Sequence, residues 1–379
     1  MGKQVKTPRF YVDIPTFLHA TGDLHWDGNK GGAELLYMNC ANPVTSTPTD
    51  QATENTLFLL GDETTAPKTS FPVNFCALLN HNLASDAHRF KLLGYNQFED
   101  NHINLNNTTN FLNNVLNMPN ANTIPTYNGT SIWTCGSDSN GINDYWSSFQ
   151  IRYDVPLDTN TNTYIDIYTH QLGSMVVGKY FDCPNSPDLN LTMSRRFDGI
   201  KRQKTVGGKT LANIYYDGPT EWTMNGPNGT YKYPPFELDL ATLASSTDDV
   251  NTTINEQTND FNQISKSGIG RKGLRSWKLT FSYIAESDMW IDKEVSNTLI
   301  SDGELTPENN DPNPMLSDNS FNFVWNCTLG GTLPFIFTDD KDSNEPDRYA
   351  ICNFRENTFN VQQVAFNTYN VSMTIDEIA

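Results

Sequence analysis

The sequence predicts a mainly β protein of two domains, and three observations carry that expectation. Asn alone outnumbers Lys and Arg together, and Thr and Asp are abundant. Such side chains bond to nearby backbone and favour turns over helix interiors. Several segments alternate apolar and polar residues with a period of two, as a strand with one buried face does. Long polar tracts separate these segments, and a chain of 379 residues can build more than one core.

The clearest strand holds Trp277, Leu279, Phe281 and Tyr283 on one face, opposite Lys278, Thr280 and Ser282. Near the end, Tyr369, Val371, Met373 and Ile375 alternate with Asn370, Ser372 and Thr374. Leu189, Leu191 and Met193 repeat the pattern after Pro184-Asn185-Ser186-Pro187, and residues 73–79 and 164–169 are further β candidates. Two stretches, 286–300 and 318–330, are expected to be helical. Phe321, Val324, Trp325 and Thr328 follow helical spacing, with Asp318 as the expected N-cap and Gly330-Gly331 as a stop. Met289, Trp290, Val295 and Leu299 give a less regular helical face. Polar tracts at 101–143, 248–267 and 301–320 exceed the usual connection length. The main boundary is placed where Met175-Val176-Val177 gives way to the turn cluster. It divides the chain into 1–178, with an Asn/Thr-rich insertion, and 179–379.

Charge and composition exclude several functions. With 25 Lys+Arg against 44 Asp+Glu the formal charge is −19, so binding to nucleic acid through phosphate contacts is not expected. No apolar run approaches the roughly 18 residues of a membrane span, so no membrane insertion is expected. Lys3, Lys6 and Arg9 lead into polar and aromatic residues rather than an apolar stretch, so no export signal is expected. The cysteines at 40, 76, 135, 183, 327 and 352 form no Cys-x-x-Cys pair. Cys76, Cys327 and Cys352 sit beside apolar segments and are expected as buried free thiols of a chain folded in cytosol.

Motifs for chemistry are weak. The run Gly268-Ile269-Gly270-Arg271-Lys272-Gly273 has dinucleotide-type glycine spacing, but a polar tract precedes it and a strand follows. A phosphate site needs the reverse order, so a basic loop entering a strand is the expectation. The segment Asp340-Lys341-Asp342-Ser343-Asn344 offers alternate oxygens, yet Glu345 and Ile351 stand where a calcium loop needs Gly and Glu. An exposed acidic turn is the simpler expectation. His81, after a strand, is expected to be a structural histidine bonded to backbone. No zinc-protease helix, nucleophile elbow or phosphate loop occurs. The chain is therefore expected not to be an enzyme, with no catalytic residues, cofactor or metal. Sequons at Asn128, Asn190, Asn228 and Asn370 fit chance in a chain this rich in Asn and Thr.

One charge asymmetry stands out. Arg195, Arg196, Lys201, Arg202, Lys204 and Lys209 crowd into a short stretch of an acidic protein, and Arg271, Lys272 and Arg275 form a second group. They are candidates for an electrostatic docking patch toward an acidic neighbour or a second copy. A solvated face balanced by local acids remains the alternative.

A resemblance joins these pieces. Ser174-Met175-Val176-Val177-Gly178-Lys179-Tyr180, Ser186-Pro187-Asp188-Leu189-Asn190-Leu191, Gly207-Gly208-Lys209-Thr210-Leu211 and Gly273-Leu274-Arg275-Ser276-Trp277 occur in order. Leu333-Pro334-Phe335-Ile336-Phe337, Arg348-Tyr349-Ala350-Ile351-Cys352 and the segment from Tyr369 to Ile378 follow. In this the chain resembles distal-tail or baseplate structural proteins of tailed bacteriophages, of a type common in marine phages. Asn74-Phe75-Cys76-Ala77-Leu78-Leu79-Asn80-His81-Asn82-Leu83 is similar to a segment of the galactose-binding-like jelly rolls found in such proteins. The resemblance implies an N-terminal β-sandwich closed by the strand ending at Gly178. A β-rich tail domain with one or two short helices would follow it. It implies a virion tail component, assembled in the host cytoplasm into a homo-oligomeric ring in contact with other tail proteins. The alternative is an adhesin whose aromatic and Asn/Asp loops around Trp133 and Trp146 take a host-surface glycan.

Overall fold

The computed structural model describes residues 5–22, 32–39, 43–46, 55–60, 71–83, 89–96, 101–104, 113–116, 129–134, 145–146, 148–154, 157–158, 163–164, 169–196, 200–214, 274–291, 314–344 and 348–378. The fold is mainly β, as the alternation predicts. An eleven-stranded antiparallel sheet dominates it. Its strands are β1 (Arg9–Asp13), β2 (Phe75–His81), β3 (Asn113–Leu116), β4 (Gly129–Thr134), β5 (Ser174–Asp182) and β6 (Thr192–Arg196). A hairpin of β7 (Ile200–Lys204) and β8 (Thr210–Ile214) stands apart from it. The large sheet continues with β9 (Leu274–Ala285), β10 (Phe335–Thr338), β11 (Tyr349–Phe354), β12 (Asn360–Ala365) and β13 (Thr368–Glu377). The order across the sheet is β6-β9-β13-β11-β10-β1-β5-β2-β4-β3, with β12 on β13.

Burial explains which strands alternate in sequence. In β9, Trp277, Leu279 and Phe281 face the core, and in β13 Val371, Met373 and Ile375 do so. Their polar neighbours Lys278 and Ser372 are exposed. Tyr283 departs from the expected face. A bulge between Phe281 and Ile284 turns it out, at φ +60°, into solvent. The middle strands are covered on both faces and read as continuous apolar runs. Phe10 and Val12 of β1 join one cluster with Phe335 and Phe337, while Tyr11 joins the other with Phe75, Val176 and Ile336.

The boundary expected between residues 178 and 179 falls inside β5. Residues Ser174 to Gly178 of β5 pair with β2, and Gly178 to Asp182 pair with β1, which in turn pairs with β10. Strands from 1–178 and 179–379 thus share one sheet. A second, four-stranded sheet, made of Asn55–Leu60, Arg89–Asn96, Asn101–Asn104 and Ser148–Asp154, adds Phe58, Phe149 and Ile151 to the same core cluster as Cys76 and Met175.

Four α-helices among the described residues follow from local chemistry. Helix α1 (Ile14–Thr21) begins at Asp13, whose carboxylate accepts from Thr16 N at 3.4 Å, and stops at Gly22 in the left-handed conformation. Helix α2 is a single turn (Glu286–Met289), shorter than the expected 286–300 stretch, whose residues after 291 lie outside the described residues. Helix α3 (Pro314–Ser317) precedes α4 (Phe321–Cys327), which falls within the expected 318–330. Its N-cap is Ser320 rather than Asp318. Ser320 Oγ accepts from Phe323 N at 3.2 Å and donates to Asp318 Oδ2 at 2.6 Å, so Asp318 supports the cap one step removed.

Other expectations shift. The tract 101–143, expected as an insertion between strands, contributes β3, β4 and Asn101–Asn104. Leu189 lies in a turn ahead of β6, which starts at Thr192. Of the expected strand 164–169, only Thr163–Tyr164 is a described strand, and 165–168 lie outside the described residues. The tract 248–267 and the loop 268–273 also lie outside them.

Candidate assembly interface

The first basic group is spread over β6, β7 and, at Lys209, the turn after β7. Arg195 and Arg196 lie on β6, every residue of which is exposed. Among the described strands, β6 pairs only with β9, so its outer edge faces away from the sheet. Lys201, Arg202 and Lys204 lie on β7, opposite Asn213, Ala212 and Thr210 of β8.

The β7–β8 turn is built by Thr205. Its N–H donates to Lys209 O at 2.8 Å, Gly208 N–H donates to Thr205 O at 2.9 Å, and Thr205 Oγ accepts from Lys209 N at 3.1 Å. Gly208 takes φ +78°, which a three-residue hairpin loop requires at that place. The turn presents Val206 fully to solvent, between exposed Lys204 and Lys209, with Leu211 half exposed beyond. The result is an arm with positive flanks and an apolar tip.

The second basic group does not join it. Arg271 and Lys272 lie outside the described residues. Arg275 is buried and is no part of a docking surface. Its guanidinium makes paired bonds to Glu377, Nε to Oε2 at 2.9 Å and Nη2 to Oε1 at 2.8 Å, and also donates to Tyr349 O. The Arg275 backbone N–H reaches the same carboxylate at 2.8 Å. This buried fork ties β9 to β13 and β11. Burial disfavours its charge, but the Glu377 bonds and field outweigh that and hold its pKa above the ordinary arginine value.

The charge pattern does not single out Val206, although a β-branched side chain before Gly207-Gly208, where polar residues are usual, marks the position in the sequence. Of the apolar residues around the patch, Leu189 is 97% exposed and Leu191 packs against the core. The side chain of Ile214 lies outside the described residues.

The titratable groups elsewhere have structural surroundings. His81 is buried. Its Nδ1 accepts from Leu83 N–H at 3.3 Å, so its proton sits on Nε2, 2.7 Å from Ser131 Oγ. Burial pushes its pKa down to about 3, so it stays neutral at pH 7. Asp13 is pushed up to about 7 by burial, against the Thr16 bonds. In the segment expected as an exposed acidic turn, Asp342 and Asn344 are exposed but Asp340 is buried. It is matched by cations, with Lys6 Nζ at 2.9 Å and Arg348 Nη1 at 3.5 Å from Oδ2. Those contacts compete with any metal for the same oxygen. Cys183, Cys327 and Cys352 are buried free thiols, and Cys76 is buried too; Cys40 and Cys135 lie outside the described residues. Burial raises the pKa of Cys183, Cys327 and Cys352, which suppresses the reactive thiolate. No helix among the described residues is long and apolar enough to cross a membrane.

Compared with protein-family models, curated proteins and solved structures, the chain matches none.

Proposed function

We propose that the chain is a structural component of a bacteriophage virion tail, in a distal-tail, baseplate or tail-tip ring, acting by oligomeric assembly rather than catalysis. The observation that carries this reading is the arm. A hairpin bearing Lys201, Arg202, Lys204 and Lys209, with Val206 at its tip, projects from a chain of net charge −19. A basic arm on an acidic chain suits a contact with an acidic surface, because complementary charge steers association and sets its register. The ordered segments that resemble tail proteins point to the same setting, a virion assembled in the host cytoplasm. Other tail proteins would be its partners.

The second sheet, packed through Phe58, Phe149 and Ile151, supports a two-layer β arrangement in the first half. The glycan-binding alternative draws on the loop between Trp133 and Trp146, where 135–144 lie outside the described residues, so no observation favours it. The direct test is gold labelling of an epitope tag on this chain in intact particles, viewed by negative stain. Label at the tail end supports the proposal. Label on the head, or none on purified particles, overturns it.

A further inference from the structure

A second exposed patch lies at the other end of the β9–β13 ribbon. Ala285 pairs with Thr368 and Ile284 with Tyr369, while Ala365 of β12 also pairs with Thr368. These pairings bring Tyr283, Glu286 and the β12–β13 turn residue Phe366 to one end of the sheet. Phe366 is 88% exposed and Tyr283 77% exposed, with Val364 partly exposed beside them. Tyr283 sits at φ +60°, a region that bulky residues avoid, and its N–H is held by Asn370 Oδ1 at 3.0 Å. The fold thus holds an aromatic ring in an unfavourable conformation and points it at water.

The charge of this end is one-sided. Glu286 is exposed and Asp288 half-buried at the start of α2, and 281–291 and 356–377 contain no Lys or Arg. The arm has the opposite character, four cations and no acid within 200–214. Both patches combine apolar side chains with charge, of opposite sign. The arm follows β6, which lies against the 274–278 end of β9, and the aromatic patch lies at the 283–286 end.

We infer that this acidic, aromatic shelf is the surface on a second copy of the chain that receives the basic arm. The inference rests on the assembly reading and gives it a direction. Arm and shelf are different surfaces, so the contact is head-to-tail, and such contacts close into a ring when the rotation between copies allows. Val206 and Leu211 meet Tyr283 and Phe366, while Lys204 and Lys209 face Glu286 and Asp288. Complementary charge sets the register of the two surfaces.

Two full-length variants test it by sedimentation velocity at low salt. One carries Lys204→Glu and Lys209→Glu in the arm. The other carries Tyr283→Asn, Glu286→Gln and Phe366→Ser on the shelf, Asn being chosen because it tolerates the left-handed conformation. Each variant alone should associate at least tenfold more weakly than wild type, with an unchanged melting curve. Mixed in equal amounts, they should form a two-chain complex and nothing larger, because one intact arm and one intact shelf remain. If wild type assembles and the shelf variant assembles equally well, or the mixture stays monomeric, the shelf is not the receiver, although the assembly reading survives. A wild type that is monomeric at every concentration overturns both.

Discussion

Asp13 and His81 are both buried, and they bias stability with pH in opposite senses. The Asp13 carboxyl is raised from 3.8 to about 7. Between those values the unfolded chain has lost a proton that the native chain keeps, so stability falls as pH rises through the window. His81 is lowered from 6.5 to about 3. Between those values the unfolded chain takes up a proton that the native chain refuses, so stability falls as pH drops. In Asp13→Asn, which keeps a cap acceptor, unfolding free energy relative to wild type should rise by about 1.4 kcal/mol per unit between pH 4 and 7. In His81→Gln, the difference from wild type should shrink as pH falls from 6.5 toward 3. Urea melts across pH check both, and a pH-independent difference would refute the protonation states assigned here. At this scale His81 was legible, because a histidine directly after an apolar strand has backbone at hand. Arg275 was not. Sequence groups charges by adjacency, and its partner Glu377 lies 102 residues away.

Two elements carry mechanical consequences. The Arg275–Glu377 pair locks β9 to β13 from a nearly dry position, with side chains 9% and 5% exposed. Removing one partner leaves a buried charge, so Glu377→Ala should cost about 3–5 kcal/mol, while Arg275→Met with Glu377→Leu should recover most of it. Equal losses in single and double variants would show that packing, not charge, holds the junction. At Gly178, where β5 turns from pairing with β2 to pairing with β1, a Cβ would stand 2.2 Å from Val12 O. Backbone cannot step aside cheaply, so Gly178→Ala should destabilise the fold by about 3 kcal/mol in denaturant melts. A variant as stable as wild type would show that β1 and β5 can separate. Elements were legible where one face meets solvent: β9 and β13 alternate, and α4 shows its spacing. The Asp13 cap, Pro15 and Gly22 signals of α1 were present in the sequence. They bracket only eight residues, and β1 before them has both faces covered, so neither period shows.

At the scale of the whole molecule, β1 is inserted between β10 and β5, so the N-terminal segment joins sheet halves that sequence alone assigns to different domains. Composition could not reveal this, because strand order in an antiparallel sheet depends on pairings between distant residues. What composition did expose is the arm, a basic segment in an acidic chain. The central claim, that the basic segment of β6 and the arm drives assembly, is tested most directly by sedimentation velocity of wild type and of Arg195→Glu/Arg196→Glu/Arg202→Glu at low and high salt. Wild type should form a discrete oligomer that weakens with added salt, since contacts between exposed charges are screened. The triple variant should stay monomeric with a melting temperature close to wild type, because Arg195 and Arg196 are exposed. A triple variant that forms the wild-type oligomer at low salt would make the basic segment a solvated surface and contradict the account.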